Sequence, residues 1–237
     1  MTSTAENQPM IDVDGVSKSF TLHLRGGAIL PVLRDVRFTV GMGECAVLGG
    51  ASGMGKSSLL RMIFGNYVTD SGYIGIREGA EMVDVATATP RRIMDLRRST
   101  MGYVSQFLRV IPRVASQDIV ACAATDRGLG AEEAKSRAKS LLARLNVPRA
   151  LWDLPPATFS GGEQQRINLA RGFAVPRPVM LLDEPTASLD AANRRVVIEL
   201  IRDAKAAGVA ILGIFHDEDV RGEVADRIID IAQFKPH

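Results

Sequence analysis

The chain alternates short apolar runs with longer segments in which apolar residues recur every three or four positions. Between residues 36 and 40, apolar and polar side chains alternate, which predicts a half-buried strand with one face in water. The runs 45–48, 179–182 and 209–215 are apolar almost throughout. Such runs are typical of strands buried on both faces in a parallel sheet that is covered by helices. The pattern therefore predicts an α/β architecture with a mainly parallel core sheet.

Helical spacing of apolar residues is clearest between positions 134 and 145 and again between 197 and 204. Pro148 and the proline pair at 155–156 follow the first of these segments, so we expect a helix end and a loop there. Residues from about 100 to 160 are accordingly predicted to form a mainly helical insertion between two parts of the sheet.

The composition is that of an ordinary globular protein. Of the 237 residues, 46% are hydrophobic and 24% are charged, which excludes a disordered chain, a collagen-like fibre and a disulfide scaffold. The net charge of +2 gives no reason to expect a general nucleic-acid binder. Two cysteines, Cys45 and Cys122, favour a reducing compartment. Residues 1–10 form a polar tail without the apolar core of a signal peptide, and no apolar run approaches the roughly 20 residues of a membrane span. We therefore expect a soluble, cytosolic protein.

Residues 50–57 fit the phosphate-binding pattern G-x-x-x-x-G-K-[ST], between an apolar strand and a helical pattern as that motif requires. Glycines let the backbone turn so that successive N–H groups point at a polyphosphate, at the positive end of the helix dipole. Lys56 is expected to reach the β- and γ-phosphates, and the Ser57 hydroxyl to bind Mg²⁺. The plainer alternative is a glycine-rich turn between strand and helix. The predicted nucleotide-binding residues of this loop are Gly50, Ala51, Ser52, Gly53, Met54, Gly55, Lys56, Ser57 and Ser58.

Two adjacent carboxylates, Asp183 and Glu184, follow the apolar run 179–182. Carboxylates at this position lie at the carboxyl end of a buried strand, where open α/β sheets bind their ligands. Asp183 is predicted to hold Mg²⁺ through water, and Glu184 to orient or deprotonate an attacking water near the γ-phosphate. The alternative is a surface turn after a strand.

Residues 158–166, Thr-Phe-Ser-Gly-Gly-Glu-Gln-Gln-Arg, resemble the signature motif of ABC-type ATPases. Other family motifs stand in order around it. Gln106 resembles the Q-loop glutamine, residues 188–190 resemble the D-loop, and His216 resembles the switch histidine. Phe20 occupies the place of the aromatic residue that stacks on adenine. Taken alone, Gln106 would be read as a solvent-facing residue, His216 as a strand-end histidine and Phe20 as a core aromatic.

The resemblance runs from about residue 11 to residue 231 and implies a single ABC ATPase domain over 11–237, with a P-loop NTPase fold. It implies a mainly parallel core sheet, an antiparallel β-subdomain and a helical signature subdomain inserted at about 107–165. The implied cofactors are ATP and Mg²⁺, and the implied activity is ATP hydrolysis with Lys56, Glu184 and His216 as catalytic residues.

In this family, two ATPase domains meet head to tail, and each ATP lies between one phosphate loop and the signature motif of the other domain. The resemblance therefore assigns Ser160, Gly161 and Gly162 to the γ-phosphate of the partner domain. Gln106 would complete the Mg²⁺ shell, together with Ser57 and Asp183. His216 would stabilise the charge that develops on the γ-phosphate.

The loops resemble ATPases of lipoprotein-release and macrolide-export systems in general. Residues 106–113, 156–173, 190–194 and 213–218 are similar, more narrowly, to the L subunits of bacterial phosphonate carbon–phosphorus lyase systems. This likeness implies a subunit of the synthase that converts a phosphonate and ATP to ribose 1-phosphonate 5-triphosphate, with the catalytic centre of that step in other subunits. The expected partners are a second ATPase domain (a copy of this chain or the related K subunit) and the soluble lyase core. No nucleic acid partner and no direct membrane insertion are expected.

An ATPase subunit of a membrane transporter is the alternative function. The segment 107–113 is in either case the expected docking surface, with an apolar turn flanked by Arg109 and Arg113. Arg91, Arg92, Arg97 and Arg98 form a basic cluster that is interpreted as a solvated face, with polyphosphate contact or docking as alternatives.

Overall fold

A computed structural model describes residues 8–22, 26–106, 108 and 112–236 of the chain. Most of the predicted docking segment, including Phe107, Arg109, Val110 and Ile111, lies outside these residues. The described strands form two sheets. The strands are β1 (Pro9–Leu22), β2 (Ala28–Gly41), β3 (Cys45–Gly49), β4 (Ser71–Glu78), β5 (Glu81–Asp84), β6 (Met101–Val104), β7 (Val179–Asp183), β8 (Ala210–Ile214) and β9 (Arg227–Asp230).

The core sheet has the order β6-β7-β8-β3-β9, and the pairs that it contains are parallel. Strands β3, β7 and β8 are buried along their whole length, as their unbroken apolar runs predict. Alternate side chains of each strand enter different hydrophobic clusters: Met180 and Leu182 belong to one, Val179 and Leu181 to the other. Because the sheet is covered on both faces, the polar residues at the carboxyl ends of these strands lie along the carboxyl-terminal end of the sheet.

The second sheet is antiparallel, with the order β2-β1-β4-β5. The alternating segment at 36–40 lies in β2, where Val36, Phe38 and Val40 are buried and the polar residues between them are exposed. The expected combination of a parallel core sheet with an antiparallel β-subdomain and helices is confirmed.

The helices flank the core sheet, and several of them follow one of its strands along the chain. Helix α4 (Ala131–Arg144) covers most of the segment with the clearest helical spacing; Leu145 is its C-cap, and Asn146 adopts a positive φ of 54° before Pro148. Helices α3 (Ser116–Thr125) and α4 pack on each other and on α5 (Gly161–Gly172), and Trp152 is buried in the same cluster. The helices are α1 (Lys56–Ile63), α2 (Pro90–Ser99), α3 (Ser116–Thr125), α4 (Ala131–Arg144), α5 (Gly161–Gly172), α6 (Ala191–Ala206) and α7 (Glu218–Val224), with 3-10 turns at Arg149–Leu151, Pro156–Thr158 and Ile231–Phe234.

Within the described ranges, the helices are too short or too polar to cross a bilayer.

Candidate active site

The predicted phosphate loop connects β3 to α1. Gly50, Gly53 and Gly55 have φ values of 116°, 80° and 86°, a region that favours glycine. At Gly55 the space is also restricted, because a Cβ atom there would lie 2.6 Å from Cγ1 of Val32. Among the residues that the structure describes, no side chain caps the N-terminus of α1, whose N-cap is Gly55. Its first amide groups are therefore available to an anion at the positive end of the helix dipole.

Lys56 is folded over this loop and is only 7% exposed. Its ammonium group donates hydrogen bonds to the carbonyl oxygens of Gly50 and Ala51, each at 2.7 Å. Burial lowers the pKa of Lys56, and the nearby carboxylate of Glu184 opposes that shift. A buried cation whose acceptors are neutral carbonyls is well prepared to exchange them for phosphate oxygens.

The first predicted metal-binding pair meets across the loop: the Ser57 hydroxyl donates to Oδ1 of Asp183 at 2.9 Å. Asp183 is 3% exposed, and its other oxygen accepts a hydrogen bond from the Tyr103 hydroxyl at 2.7 Å. Burial and the adjacent carboxylate raise the pKa of Tyr103, so the phenol stays a donor. Hydroxyl and carboxylate oxygens are the ligands that Mg²⁺ prefers, so this pair fits that ion.

Tyr103 was not among the residues singled out from the sequence. The signal for it is the pairing of β6 with β7, which aligns Tyr103 with Leu181 and Val104 with Leu182. Once these two strands are taken as parallel neighbours, a tyrosine near the end of one comes close to the aspartate that ends the other.

Glu184 joins two further predicted residues. Its Oε2 accepts a hydrogen bond from Nε2 of Gln106 at 2.8 Å, and its Oε1 lies 2.8 Å from Nε2 of His216. These side chains follow β6, β7 and β8, three adjacent strands of the parallel sheet. The Glu184 backbone has φ of 52° and donates its N–H to the carbonyl of Ile214 at 3.1 Å. The carboxylate is thus held between an amide and an imidazole at the strand ends.

The loop and this cluster share one cavity of about 260 Å³. Phe20 lies on its rim, where its ring packs edge-on against Tyr67 with 5.8 Å between centroids. The lining also contains residues from the loop, from β2 and from the strand ends: Val32, Ser52, Gly53, Gly55, Lys56, Ser57, Ser58, Glu184 and His216.

The signature residues lie elsewhere. Ser160 is the N-cap of α5, and its hydroxyl oxygen accepts a hydrogen bond from the Glu163 amide at 3.3 Å. The Glu163 carboxylate accepts from the Ser160 hydroxyl at 2.7 Å and from its amide at 2.8 Å, and these bonds lower the pKa of Glu163. Gly162 packs closely on the D-loop, because a Cβ there would lie 2.8 Å from the carbonyl oxygen of Ser188. Among the described residues, Ser160, Gly161 and Gly162 are not part of the cavity lining.

A family description for ABC transporters matches residues 33–187, which hold the loop, Gln106, the signature and both carboxylates. The chain belongs to the ABC family of ATPases. Membership confirms the expected ATP-binding domain and implies ATP hydrolysis, normally with Mg²⁺.

Relatives of this ABC ATPase are ATP-binding proteins of transporters by name. The chain is 35% identical over 223 residues to the macrolide export ATP-binding/permease protein MacB of Brucella abortus (strain 2308), and this match covers 94% of the chain and 33% of MacB. It is 32% identical to the ABC transporter ATP-binding protein YtrE of Bacillus subtilis (strain 168), over 89% of the chain and 90% of YtrE. It is 34% identical to HrtA of Staphylococcus haemolyticus, named as a hemin import ATP-binding protein, over 89% of the chain and 92% of HrtA. The chain thus spans about a third of MacB and most of YtrE and HrtA.

Among solved structures, the ABC ATPase is similar to the cassette MJ0796. A dimeric post-hydrolysis state of MJ0796 bound to ADP and Pi matches with a TM-score of 0.84 and 25% identity, over 95% of this chain and 94% of that one. A second dimeric structure, described as a bacterial ABC transporter cassette, matches with a TM-score of 0.83 and 26% identity, over 93% and 94%.

Proposed function

We propose that the chain is one half of an ATP-driven clamp, in which two ATPase domains close around ATP and open after hydrolysis. The observation that carries this proposal is that three groups of side chains meet at the strand ends of the parallel sheet. These are Lys56, the Ser57–Asp183 pair and the Gln106–Glu184–His216 cluster. A cation, a metal-binding pair and a hydrogen-bonded carboxylate are the groups that phosphoryl transfer to water requires.

Each chain's own residues have distinct tasks in this proposal. Lys56 exchanges its carbonyl partners for phosphate oxygens, and Ser57 and Asp183 hold Mg²⁺, which supplies charge neutralisation at the phosphates when bound. Glu184 orients the attacking water and accepts its proton. His216 keeps the Glu184 carboxylate in place through Nε2 and stabilises the charge that develops on the γ-phosphate.

The second domain is needed because the signature residues do not line the cavity of their own chain. At the N-terminus of α5, Gly161 is exposed and Gly162 is partly exposed, and capping bonds to Glu163 hold Ser160. This is a rigid anion-binding end that suits a γ-phosphate held by another domain. The two similar MJ0796 structures are dimers, which supports the same arrangement here.

A complementation experiment tests the composite site. One variant carries Lys56→Ala and a second carries Ser160→Arg, and each alone is expected to lack ATP hydrolysis. In a head-to-tail dimer of the two variants, one site combines an intact loop with an intact signature. The mixture should therefore hydrolyse ATP, measured as phosphate release. Failure of every mixing ratio to restore hydrolysis would contradict a homodimer with composite sites.

The clamp is proposed to drive a membrane transporter. The support is that MacB, YtrE and HrtA carry transport names and that YtrE and HrtA match over most of their length. A permease chain would then dock on the ATPase, and the complex would lie at the cytoplasmic face of a membrane.

The second candidate is the phosphonate lyase system, with a soluble lyase core as the partner. It rests on the resemblance of residues 106–113 and 156–173 to L subunits, and the names of the relatives above do not support it. In the structure, Leu108 belongs to the hydrophobic core, and Arg113 turns the chain with φ of 64°. Arg113 is exposed, and its charge suits the rim of an interface with a protein partner of either kind.

Gene deletion and purification separate the two candidates. If the partner is the lyase core, the deletion strain should not grow on methylphosphonate as sole phosphorus source but should still take it up, and the chain should co-purify with lyase subunits without detergent. If the partner is a permease, the chain should be recovered with it in detergent, and deletion should abolish transport of its substrate.

A further inference from the structure

A second cavity, of about 180 Å³, lies where α2, β6 and the ends of α3 and α5 approach each other. Its wall includes Phe64, Tyr103, Asp126, Arg97, Arg171 and Arg177, and it shares no lining residue with the nucleotide cavity. Arg97, which was expected on a solvated face, is partly exposed and also lines this cavity. Its guanidinium lies 4.5 Å from the Phe64 ring centroid, and burial lowers its pKa.

The cavity wall carries more positive than negative charge. Three arginines face one carboxylate, that of Asp126. Burial lowers the pKa of Arg177, the charges of Arg127 and Arg171 lower it further, and only Asp126 raises it. A group of like charges this close is destabilising unless a counter-charge joins it.

Two arginines at or beside this wall, Arg97 and Arg127, donate their hydrogen bonds to neutral oxygens among the described residues. Arg97 donates to the carbonyl of Phe64 at 3.0 Å and to the amide oxygen of Asn66 at 2.7 Å. Arg127 donates to the carbonyls of Arg98 and Ser99. None of these acceptors removes a positive charge.

Arg177 has the least satisfied guanidinium of the group. Within the described ranges it makes no hydrogen bond or salt bridge, and its Nε is fully buried without a partner, as is the Nε of Arg127. Buried donors in proteins are nearly always paired, so the buried Nε of this partly exposed arginine is a donor for which the described chain provides no acceptor.

We propose that this cavity is a binding site for a small phosphate-class oxyanion, separate from the nucleotide site. A cavity of about 180 Å³ has room for a tetrahedral oxyanion with bridging waters. Guanidinium groups pair with such oxygens through two parallel hydrogen bonds. The anion supplies an acceptor for the unpaired Nε of Arg177 and negative charge to a wall in which arginines outnumber carboxylates.

The test uses inorganic phosphate as the probe and the full chain with Lys56→Ala, so that the phosphate loop does not contribute. Calorimetric titration should detect one phosphate site in this background. Adding Arg177→Gln should weaken that site at least about tenfold, the loss expected for a charge-assisted pair. Arg149→Gln is the matched control, because Arg149 is exposed and lies outside the cavity. Its addition should leave the phosphate affinity unchanged.

Asp126→Asn is expected to change the phosphate affinity in the opposite direction to Arg177→Gln. A folding defect would not raise this affinity. It removes the one carboxylate of the wall, so phosphate should bind more tightly than in the Lys56→Ala background alone. Methylphosphonate, titrated in parallel, distinguishes a site for free phosphate from one that also accepts a phosphonate, and binding of either supports the site. Absence of binding by both anions, or equal affinity with and without Arg177→Gln, would overturn the proposal.

Discussion

Glu184→Gln is the change that separates ATP binding from ATP hydrolysis in the proposed mechanism. It replaces a carboxylate oxygen with an amide nitrogen and leaves the size of the side chain unchanged. Gln106 and His216, the two partners of Glu184 at 2.8 Å, can both adapt. The Gln106 amide can turn its oxygen toward the new amide, and the imidazole can donate to the remaining oxygen. The geometry should therefore survive while the proton acceptor is lost.

The expected loss in the rate of ATP hydrolysis follows from the role of the Glu184 carboxylate as general base. A positioned general base contributes about 10²–10⁴-fold to a rate. The corresponding rise in the activation free energy is about 2.7–5.5 kcal/mol. ATP affinity should not fall, because Lys56, Ser57 and Asp183 are unchanged and one negative charge near the phosphates has been removed.

Two measurements on the same sample give the result. Phosphate release at saturating Mg-ATP reports hydrolysis, and titration with a fluorescent ATP analogue reports binding. With hydrolysis blocked, an ATP-bound dimer should also accumulate on size-exclusion chromatography. Glu218→Gln is the matched control, since Glu218 lies two residues beyond His216, is 86% exposed at its side chain and pairs only loosely with Arg221 at 3.4 Å. It should hydrolyse ATP at the wild-type rate.

Wild-type turnover in Glu184→Gln would refute the assignment of the base, and His216 would then be the group to test. A variant that neither hydrolyses ATP nor binds it would instead show that the substitution disturbed the loop. A variant that binds ATP, does not hydrolyse it and stays monomeric would favour a partner domain of different sequence.

Three further predictions concern the same cavity and the signature helix. Lys56→Ala removes the buried ammonium and should abolish or severely weaken Mg-ATP binding in a titration, while the circular dichroism spectrum stays unchanged. Tyr103→Phe removes the donor to the buried Asp183 carboxylate, and chemical denaturation should give a free energy of unfolding lower by about 1.5–3 kcal/mol, the range for a hydrogen bond to a charged group; an unchanged value would mean that Asp183 does not depend on this bond. Ser160→Ala removes the N-cap of α5 and should lower the free energy of unfolding by about 1 kcal/mol, with Ser160→Thr as the conservative control.

The parallel sheet could be predicted from the sequence because its central strands are buried on both faces. Each then reads as an unbroken apolar run, as at residues 45–48 and 179–182. The order of the strands, in contrast, could not be predicted from the sequence. β3 lies between β8 and β9, which come from the far end of the chain, and no local pattern encodes which distant strands pair. The bounds and the class of each strand are local properties, whereas the order depends on the packing of the whole sheet.

The residues of the candidate site likewise fall into those that could be predicted from the sequence and those that could not. The residues that end strands could be proposed from the sequence, because a polar residue after an apolar run marks the edge of a sheet. Tyr103 and the hydrogen bonds of Glu184 to its two neighbours depend on which strands are adjacent. The arginine cavity shows most clearly what could not be predicted from the sequence. Arg97 and Arg177 are 80 positions apart in the chain, and the packing of the folded chain brings them to the wall of one cavity.

The backbone of Glu184 leads to a last prediction, which no sequence pattern suggests. Its φ of 52° lies in the left-handed region, which costs an ordinary L-residue about 1–2 kcal/mol and costs glycine almost nothing. Glu184→Ala and Glu184→Gly both lose the carboxylate and its hydrogen bonds, so the difference between them isolates the backbone. At an ordinary position alanine is the more stabilising of the two, because glycine loses more conformational freedom on folding. Here we expect the reverse, with Glu184→Gly more stable than Glu184→Ala by about 1 kcal/mol in chemical denaturation. Equal stability, or a more stable alanine variant, would show that the chain does not hold this residue in a left-handed conformation. The opposite control is Ala191, the first residue of α6, where Ala191→Gly should destabilise the chain because the backbone there is helical.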